Sequence, residues 1–341
     1  MTLVSDARIA LKHGAGGRAM RSLIQDVLLS GISSGDWIGA DQMDDGAAIR
    51  VGEDWLVVTT DSHVVQPAFF PGGDIGRLAV CGTVNDLAMM GATSPLGLTC
   101  ALVIEEGFSR ESLVTLQESM RAACAEAGTN IVTGDTKVMG RGEVDGIVIN
   151  TTGVALTRTL VRDSGLRPGD RLIVTGTIGD HGLAVMARRH HLGIEGRLRS
   201  DVAPLNGLIS RALDAAPGAV TAMKDPTRGG LASAVHEMAE KSRVGVLLID
   251  RALPVSEAVR GAAELLGIDP LHVANEGKAV IGVREEAVEQ VLRALQAHPL
   301  GRNAAIIGTC LEERPGIVVL DTGFGRRLLA EPEGEPLPRI C

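Results

Sequence analysis

The chain has 341 residues, of which 45% are hydrophobic, and a formal net charge of −9 at pH 7. This length predicts about two domains, and the negative charge argues against binding to a phosphate backbone. There is no Tyr, and there are only two Trp and four Phe, so aromatic platforms for single-stranded nucleic acid are not expected. We therefore expect no nucleic-acid partner.

The sequence also lacks the marks of a membrane or secreted protein. It contains no run of 18 uninterrupted apolar residues, so no transmembrane helix and no membrane partner are expected. The first 13 residues include Asp6, Arg8 and Lys12 without a long apolar core, which is unlike a signal peptide. These features predict a cytoplasmic protein.

Five cysteines occur, none of them spaced as C-x-x-C: Cys81, Cys100, Cys124, Cys310 and Cys341. A zinc ribbon or a paired redox site is therefore disfavoured. The first four lie in apolar or helical runs, which predicts small buried hydrophobic residues. Only Cys341, the last residue of the chain, is expected to have the exposure that a reacting thiol needs.

The tail that ends in Cys341 is rich in proline. Residues 331–341 read EPEGEPLPRIC, and the prolines and glycine exclude a helix or a central strand. Extended proline-rich chain spans roughly 3.1 Å per residue, so about ten residues could carry the thiol on the order of 30 Å. Either this is an arm with a nucleophile at its tip, or it is a frayed terminus that happens to end in cysteine.

The first half alternates strands and helices. A glycine-rich loop at 13–17, which either contacts phosphate or is simply mobile, precedes a predicted helix at 18–29. Further elements are predicted at 55–61 (strand), 78–90 (helix), 96–104 (strand), 109–127 (helix), 130–137 (strand) and 145–155 (strand). Asp61, Asp135 and Lys137 fall at predicted strand ends, where α/β sheets place ligands.

The predicted helix at 78–90 is nearly all apolar, yet it contains Asn85 and Asp86. A buried carboxylate needs a cation or several hydrogen-bond donors. These residues are therefore either a satisfied core pair or cap, or part of a metal site.

Polar composition from Thr157 to Gly169 predicts a domain boundary. After it, strands are predicted at 171–175, up to 224, at 244–249, 278–283, 304–309 and 317–320, and helices after 182, at 205–216, after 230, at 255–266 and 285–297. Pro226 ends the strand that precedes Asp225, and the glycines after Arg228 let backbone amides approach an anion at the helix start. Glu276 lies in a polar turn before a strand.

Five aspartates stand at turns, at strand ends or in the apolar helix: Asp45, Asp61, Asp86, Asp135 and Asp225. Clustered carboxylates repel one another unless a cation lies among them, and hard oxygen ligands select Mg²⁺, which usually accompanies phosphates. The pattern predicts a Mg–nucleotide site built from both halves. Each aspartate taken singly is also typical of a turn or cap.

The runs DDGA, TTDS, PGGDIGRLAVCGTVNDLAMMGA, IVTGDTKV, GDHG, DPTRGGL, VANEGK and the terminal PRIC resemble the HypE family of carbamoyl dehydratases from His13 to Cys341. This family belongs to the superfamily of aminoimidazole ribonucleotide synthetase and selenophosphate synthetase. The resemblance implies an α/β (α+β), two-domain PurM-like fold. It would have an N-terminal ATP-binding domain at 1–157, whose sheet pairs across a homodimer, an α+β domain at 168–330, and a flexible tail at 331–341.

The resemblance also implies a reaction. A partner, HypF, would attach a carbamoyl group to the sulfur of Cys341. With ATP and Mg²⁺ the chain would dehydrate that group to a thiocyanate. A HypC–HypD complex would then accept cyanide for the iron of a nickel–iron hydrogenase.

Residue roles follow from the matched motifs. Asp45, Asp61, Asp86 and Asp225 would hold Mg²⁺ and phosphate, with support from Asn85 and Asp135. Lys137 and Glu276 would surround the modified Cys341 as catalytic residues, and His13 and His181 are the next candidates for the base. Two other classes stay open, namely a small-molecule kinase or synthetase and a non-catalytic scaffold that presents the tail.

Overall fold

The structure, a computed structural model, describes residues 8–39, 42–194, 196–332 and 340–341. Residues 333–339, which carry most of the predicted extended arm, lie outside these ranges. The N-terminal segment contains a 3₁₀ turn at Leu11–Gly14, helix α1 at Gly17–Leu23 and a π-helical turn at Ile24–Leu28. The helix predicted over 18–29 is thus confirmed in position, but its α-helical part is shorter.

The first sheet has five strands in the order β1-β2-β7-β5-β6. Its strands are β1 at Ala47–Val51, β2 at Asp54–His63, β5 at Pro95–Glu105, β6 at Ile131–Met139 and β7 at Ile147–Thr157, and β3 (Phe69–Phe70) pairs separately with β4 (Gly73–Asp74). Every pair in the sheet is antiparallel except β5 with β6. Helices α2 at Ile75–Met89 and α3 at Arg110–Ala127 pack against each other, and α2 packs on β2 and β7.

Helix α2 is the buried helix that the sequence predicts. Asp74 caps it by accepting a hydrogen bond from the Arg77 amide at 2.9 Å, which satisfies one of the amides left open at a helix start. Nearly all of its residues are buried, Asn85 among them. A helix covered on all sides can present a polar side chain only to an internal site or to another part of the chain.

The second sheet has seven strands in the order β14-β13-β10-β12-β8-β11-β9. Its strands are β8 at Arg171–Val174, β9 at Val220–Lys224, β10 at Gly245–Ile249, β11 at Val280–Val283, β12 at Ala305–Leu311, β13 at Val318–Asp321 and β14 at Arg326–Leu328. The helices of this half are α4 at Asp180–Arg189, α5 at Asn206–Ala215, α6 at Gly230–Ser242, α7 at Glu257–Leu266 and α8 at Val288–Gln296.

The predicted alternation of strands and helices is confirmed in both halves, but one argument drawn from it is wrong. Asp135 and Lys137 lie inside β6, paired with Ala101 and Val103, and Asp61 lies inside β2. Because β2 is antiparallel to both neighbours, the rule that ligands collect at the carboxyl ends of parallel strands does not apply to it.

Among the described residues, no helix combines the length and apolar character needed to span a bilayer.

Candidate active site

A cavity of ≈ 480 Å³ lies between the two halves of the chain. Its lining includes six residues singled out in the sequence, namely Asp45, Asp61, Asp86, Asp225, Glu276 and Cys341. They come from the turn before β1, from β2, from α2, from the turn after β9, from the loop before β11 and from the chain terminus. The structure therefore brings together side chains separated by almost 300 positions in sequence.

Burial raises the pKa values of five carboxyl groups that line the cavity: Asp44, Asp45, Asp86, Asp225 and Glu276. Burial, together with the negative charges of Asp225, Asp61 and Asp45, raises the pKa of Asp86 well above its usual value. Burial and Asp45 raise the pKa of Asp225 to about 8, and burial and Asp225 raise the pKa of Glu276. A cation placed among these groups would relieve both their desolvation and their mutual repulsion.

Asp61 behaves differently because a histidine lies beside it. Burial alone would raise the pKa of Asp61, but His63, whose Nε2 lies 3.2 Å from Asp61 Oδ2, lowers it to about 2. Gly82 permits this arrangement, since a Cβ there would approach His63 Nε2 to 2.7 Å. Asp61 is thus the carboxylate of this cavity that is most firmly ionised.

A network of ion pairs that was not predicted from the sequence begins in the cavity lining, at Lys224 and Glu237, and continues to Asp163 and Lys241. Lys224 Nζ donates to Asp45 Oδ1 at 2.6 Å and lies 3.3 Å from Glu237. Lys241 donates to Asp163 Oδ2 at 2.5 Å. The pairs join residues far apart in sequence, so only the adjacency of Lys224 to Asp225 could have drawn attention to it.

The cavity residues fit a Mg–nucleotide group, although they do not form a closed metal site. No three His, Cys, Asp or Glu side chains within the described ranges are arranged to hold a metal ion by themselves. Asp45 Oδ2 and Glu276 Oε1 are buried without a hydrogen-bond partner there, so acceptor oxygens are available. Mg²⁺ usually keeps several waters and binds through one or two carboxylates plus phosphate oxygens, which matches this donor set.

The glycine-rich loop at 13–17 contributes to the same cavity. Gly16 and Gly17 line it, and Gly16 has a φ of 81°. A Cβ at Gly16 would lie 2.8 Å from the backbone of Arg228, which also lines the cavity. The loop therefore packs against the turn that follows Asp225.

The end of the tail lies inside the protein. Ile340 is 1% exposed and belongs to the main hydrophobic core, and Cys341 is half-buried and lines the cavity. The tail's base is fixed as well, since Arg21 binds the Glu331 carboxylate at 2.6 Å. Cys341 is partly exposed, whereas the other four cysteines are buried; it is not fully exposed, because the core buries the apolar surface of Ile340. Burial of Cys81, Cys100, Cys124 and Cys310 is confirmed.

Three predicted site residues do not line the cavity. Asn85 uses its amide to hold the second half of the chain, accepting from Leu205 N at 2.7 Å and donating to the Ala203 and Glu276 carbonyls at 3.1 Å. Lys137 and Asp135 form an exposed pair at 2.7 Å on β6. Within one chain, the structure does not bring these two to Cys341.

Comparisons with known proteins agree with this architecture. Residues 43–157 match the N-terminal domain of the AIR synthase related protein family, and residues 167–321 match its C-terminal domain. The carbamoyl dehydratase HypE of Azotobacter vinelandii is 46% identical over 336 residues, which cover 98% of this chain and 97% of that protein.

Two solved structures are similar over most of the chain. A chain from a HypE–HypF complex has a TM-score of 0.85 and 43% identity, and the match covers 91% of this chain and 100% of that one. A HypE in complex with ATP has a TM-score of 0.81 and 41% identity, covering 98% and 100%. The chain belongs to the HypE family of carbamoyl dehydratases, within the AIR synthase related proteins.

Proposed function

We propose that this chain uses ATP to dehydrate an S-carbamoyl group on its own Cys341 to a thiocyanate, as the source of the cyanide ligand of a nickel–iron hydrogenase. The observation that carries this proposal is the position of Cys341, which lines the same cavity as Asp45, Asp61, Asp86, Asp225 and Glu276. A kinase or synthetase acting on a small molecule has no need of the chain terminus in its site. The dehydratase name of the relatives supports the same reaction.

The reaction needs activation because oxide is a very poor leaving group. The carbamoyl oxygen attacks the terminal phosphorus of ATP, the bond from that phosphorus to ADP breaks, and the nitrogen loses one proton to form a C=N bond. The second N–H proton then leaves while the C–O bond breaks and phosphate departs. The products are thiocyanate on the sulfur, ADP and phosphate.

Asp45, Asp61, Asp86 and Asp225 are the residues that would hold Mg²⁺ and orient the phosphates. When bound, Mg²⁺ supplies positive charge that neutralises the carboxylates and the phosphate oxygens. His63 and Arg228 lower the pKa of Asp61, which favours its ionised form. Asp45, Asp86 and Asp225 have raised pKa values, so a cation would relieve the cost of ionising all three.

Glu276 is the proposed base for the carbamoyl nitrogen. It lines the cavity with Cys341, is 3% exposed, and has one carboxyl oxygen without a hydrogen-bond partner in the described part of the chain. Burial and the neighbouring carboxylates raise its pKa, and a cation bound in the cavity would favour the ionised form that a general base needs. Asn85 and Asp201 fix its backbone, through its carbonyl at 3.1 Å and its amide at 3.1 Å respectively.

We propose that Lys137 acts on Cys341 from a second copy of the chain, because it does not line the cavity of its own chain. It lies on β6, an edge strand whose nine residues are all exposed and include Val132 and Val138. An exposed, partly apolar edge strand is a template for pairing. We propose a homodimer formed through this edge, in which Lys137 and Asp135 of one protomer approach the cavity of its partner.

Carbamoyl transfer requires a different position of the tail. With Ile340 buried and Cys341 in the cavity, the thiol faces the nucleotide site. A carbamoyl donor such as HypF, which accompanies a HypE in a solved complex, would meet the thiol only after the tail has left the cavity. The same movement would present the thiocyanate to a HypC–HypD complex.

Intact-mass spectrometry tests the proposal. The S-carbamoyl protein should lose the mass of one water on a single ATP turnover, and Cys341→Ala should accept no carbamoyl group. Glu276→Gln should accept the group and bind ATP, but should convert it about 10²–10⁴ times more slowly, the usual loss for a general base. Dehydration by Glu276→Gln at the wild-type rate would remove this residue from the mechanism. If the wild type loses no water, the proposed dehydration fails, and the alternative that remains is a non-catalytic scaffold that presents the tail.

Mixed subunits test the role of Lys137. Lys137→Ala and Cys341→Ala should each be inactive alone. If Lys137 acts across the dimer, mixing the two variants should restore part of the activity, because some sites combine an intact Lys137 with an intact Cys341. No restoration in a proven mixed dimer would show that Lys137 does not act from a second copy.

A further inference from the structure

The last peptide group of the chain is bound by a buried histidine. His181 is completely buried in the first turn of α4, and its Nε2 lies 2.6 Å from the carbonyl oxygen of Ile340. Its Nδ1 lies 2.7 Å from Ser200 Oγ. Both ring nitrogens therefore have a partner, and one of those partners belongs to the tail.

The hydrogen-bonding partners define the tautomer. A carbonyl oxygen can only accept, so Nε2 carries the proton that is donated to Ile340. Ser200 Oγ already accepts a hydrogen bond from Val202 N at 3.1 Å, so its own hydrogen is available to donate to Nδ1. Burial lowers the pKa of His181 and so favours the same neutral ring.

The surroundings of His181 hold its ring in place. The Phe70 ring makes a T-shaped contact with it, with centroids 5.3 Å apart and planes at 87°. Ser200 is fixed in turn, since its amide donates to the Pro71 carbonyl at 2.7 Å. Ile340 joins the core cluster that contains Phe70. The tail is thus held by one directed hydrogen bond and one buried apolar side chain.

The element that carries His181 is attached to the loop that carries Glu276. Gly179 N donates to Asn275 Oδ1 at 2.7 Å, and Gly182 N donates to the Ala274 carbonyl at 3.1 Å. The start of α4 and the loop before Glu276 therefore form one rigid unit. A group held by His181 keeps a fixed position relative to Glu276.

We propose that His181 is a positioning residue that docks the chain's own C-terminus, binding the Ile340 carbonyl so that Cys341 is held in the cavity. This role rests on the proposed function only in its purpose, since docking of the tail is a property of the protein without nucleotide or partner. His181 transfers no proton to the substrate. It serves the dehydration step and not the carbamoyl transfer, for which the tail must leave.

Labelling of Cys341 with a fluorescent maleimide measures docking directly, without ATP or a partner. The other four cysteines are buried, and Cys341→Ala gives their background rate. His181→Leu removes the donor, and we expect Cys341 to label about two- to tenfold faster, the change that follows from losing one net hydrogen bond. His181→Gln, which can still donate from its side-chain amide, should label at close to the wild-type rate.

His236→Leu is the matched control. His236 makes the same kind of bond, from Nε2 to the Leu329 carbonyl at 2.8 Å, but that carbonyl precedes the tail and is not part of the docked terminus. This variant should leave the labelling rate of Cys341 unchanged. Wild-type labelling in a folded His181→Leu would overturn the proposal. If that variant does not fold, Ser200→Ala, which removes the partner of Nδ1, decides by the same measurement: faster labelling supports docking, and no change overturns it.

A second measurement connects docking to the reaction. S-carbamoyl His181→Leu should lose water more slowly than the wild type, while its rate of carbamoyl acceptance is not reduced. A purely structural role would change the melting temperature and both steps together. If labelling responds as expected but the wild type never dehydrates, docking stands and the proposed function fails.

Discussion

Two groups of buried carboxyls in this chain have pKa values that are shifted in opposite directions. The paired group, in which the cationic partners outweigh burial, consists of Asp163, held by Lys241 at 2.5 Å, and Asp201, held by Lys278 at 3.0 Å. Burial alone would raise the pKa of both, but the lysines hold it below its usual value. Asp45 does not belong to this group, because burial outweighs its Lys224 partner and raises its pKa. The uncompensated group consists of Asp86, Asp225 and Glu276, whose pKa values are all raised.

On the proposed function, the difference separates residues that maintain the fold from residues that would bind a ligand. The charge of a paired carboxylate is balanced within the protein, so its removal leaves a buried lysine without its partner. An uncompensated carboxyl is destabilising until a cation arrives, and that destabilisation adds to the driving force for binding the cation. The same substitution, aspartate to asparagine, should therefore change stability in opposite directions in the two groups.

The largest effect is expected from Asp163→Asn. Lys241 would lose its carboxylate partner, and Lys224, 3.6 Å away, would lose part of its charge compensation. Breaking a buried ion pair from one side costs about 3–5 kcal/mol, so the free energy of unfolding should fall by about that much in urea denaturation. Asp321→Asn is the control, since its partner Arg326 is exposed and such pairs contribute little. A loss no larger than that of the control would contradict the distinction.

Asp86→Asn should have the opposite sign. The asparagine keeps the shape of the side chain and removes a charge that burial and the neighbouring carboxylates disfavour. We expect the nucleotide-free protein to become more stable by about 1–3 kcal/mol, the scale of desolvating a polar group, and Mg–ATP to bind more weakly by calorimetry. Unchanged nucleotide affinity would remove Asp86 from the ligand set.

The pH dependence of stability should also distinguish the two groups. The folded-state pKa of Asp225 is about 8, above its ordinary value of 3.8. The stabilisation by its neutral form is therefore fully present below about pH 4 and is lost as pH rises towards about 8. Asp225→Asn should flatten the fall in unfolding free energy across this window. An identical slope in the variant and the wild type would show that Asp225 does not titrate there.

The smallest effect on stability is expected from Cys341→Ala. The thiol is only half-buried, and Ile340, which supplies the apolar contact of the terminus, is retained. The free energy of unfolding should change by no more than about 0.5 kcal/mol, whereas carbamoyl acceptance should be lost completely. A large loss of stability would mean that the thiol itself belongs to the core.

Local patterns predicted the elements well because each depends on nearby residues. The apolar run of α2 and the proline that follows β9 each mark the element to which they belong. The short strands β1 and β14 were missed, since their stability comes from pairing with β2 and β13. The alternation of strands and helices predicted ligand sites at strand ends. This prediction holds only for parallel strands, and strand direction is a property of the whole sheet.

The sequence indicated which residues belong to the candidate site more reliably than it indicated the contacts between them. A carboxylate in an apolar helix is informative by itself, so Asp86 was found. Lys224, Asp163 and the docking histidine His181 act through partners distant in sequence, and no local spacing marks such pairs. Lys137 was identified by its motif, while its place on an exposed edge strand depends on the sheet order.

Because the base of the tail is fixed, the carbamoyl group on Cys341 is a substrate tethered to its own site. Arg21 binds Glu331, and Arg18 N lies 3.4 Å from the Pro332 carbonyl, so only the few residues between Pro332 and Ile340 separate this anchor from the docked terminus. A short tether keeps its end at a local concentration on the order of millimolar. Once the proposed dimer has formed, dehydration should therefore proceed at a rate that does not depend on protein concentration, and the carbamoyl group is never released to compete with free molecules for the cavity.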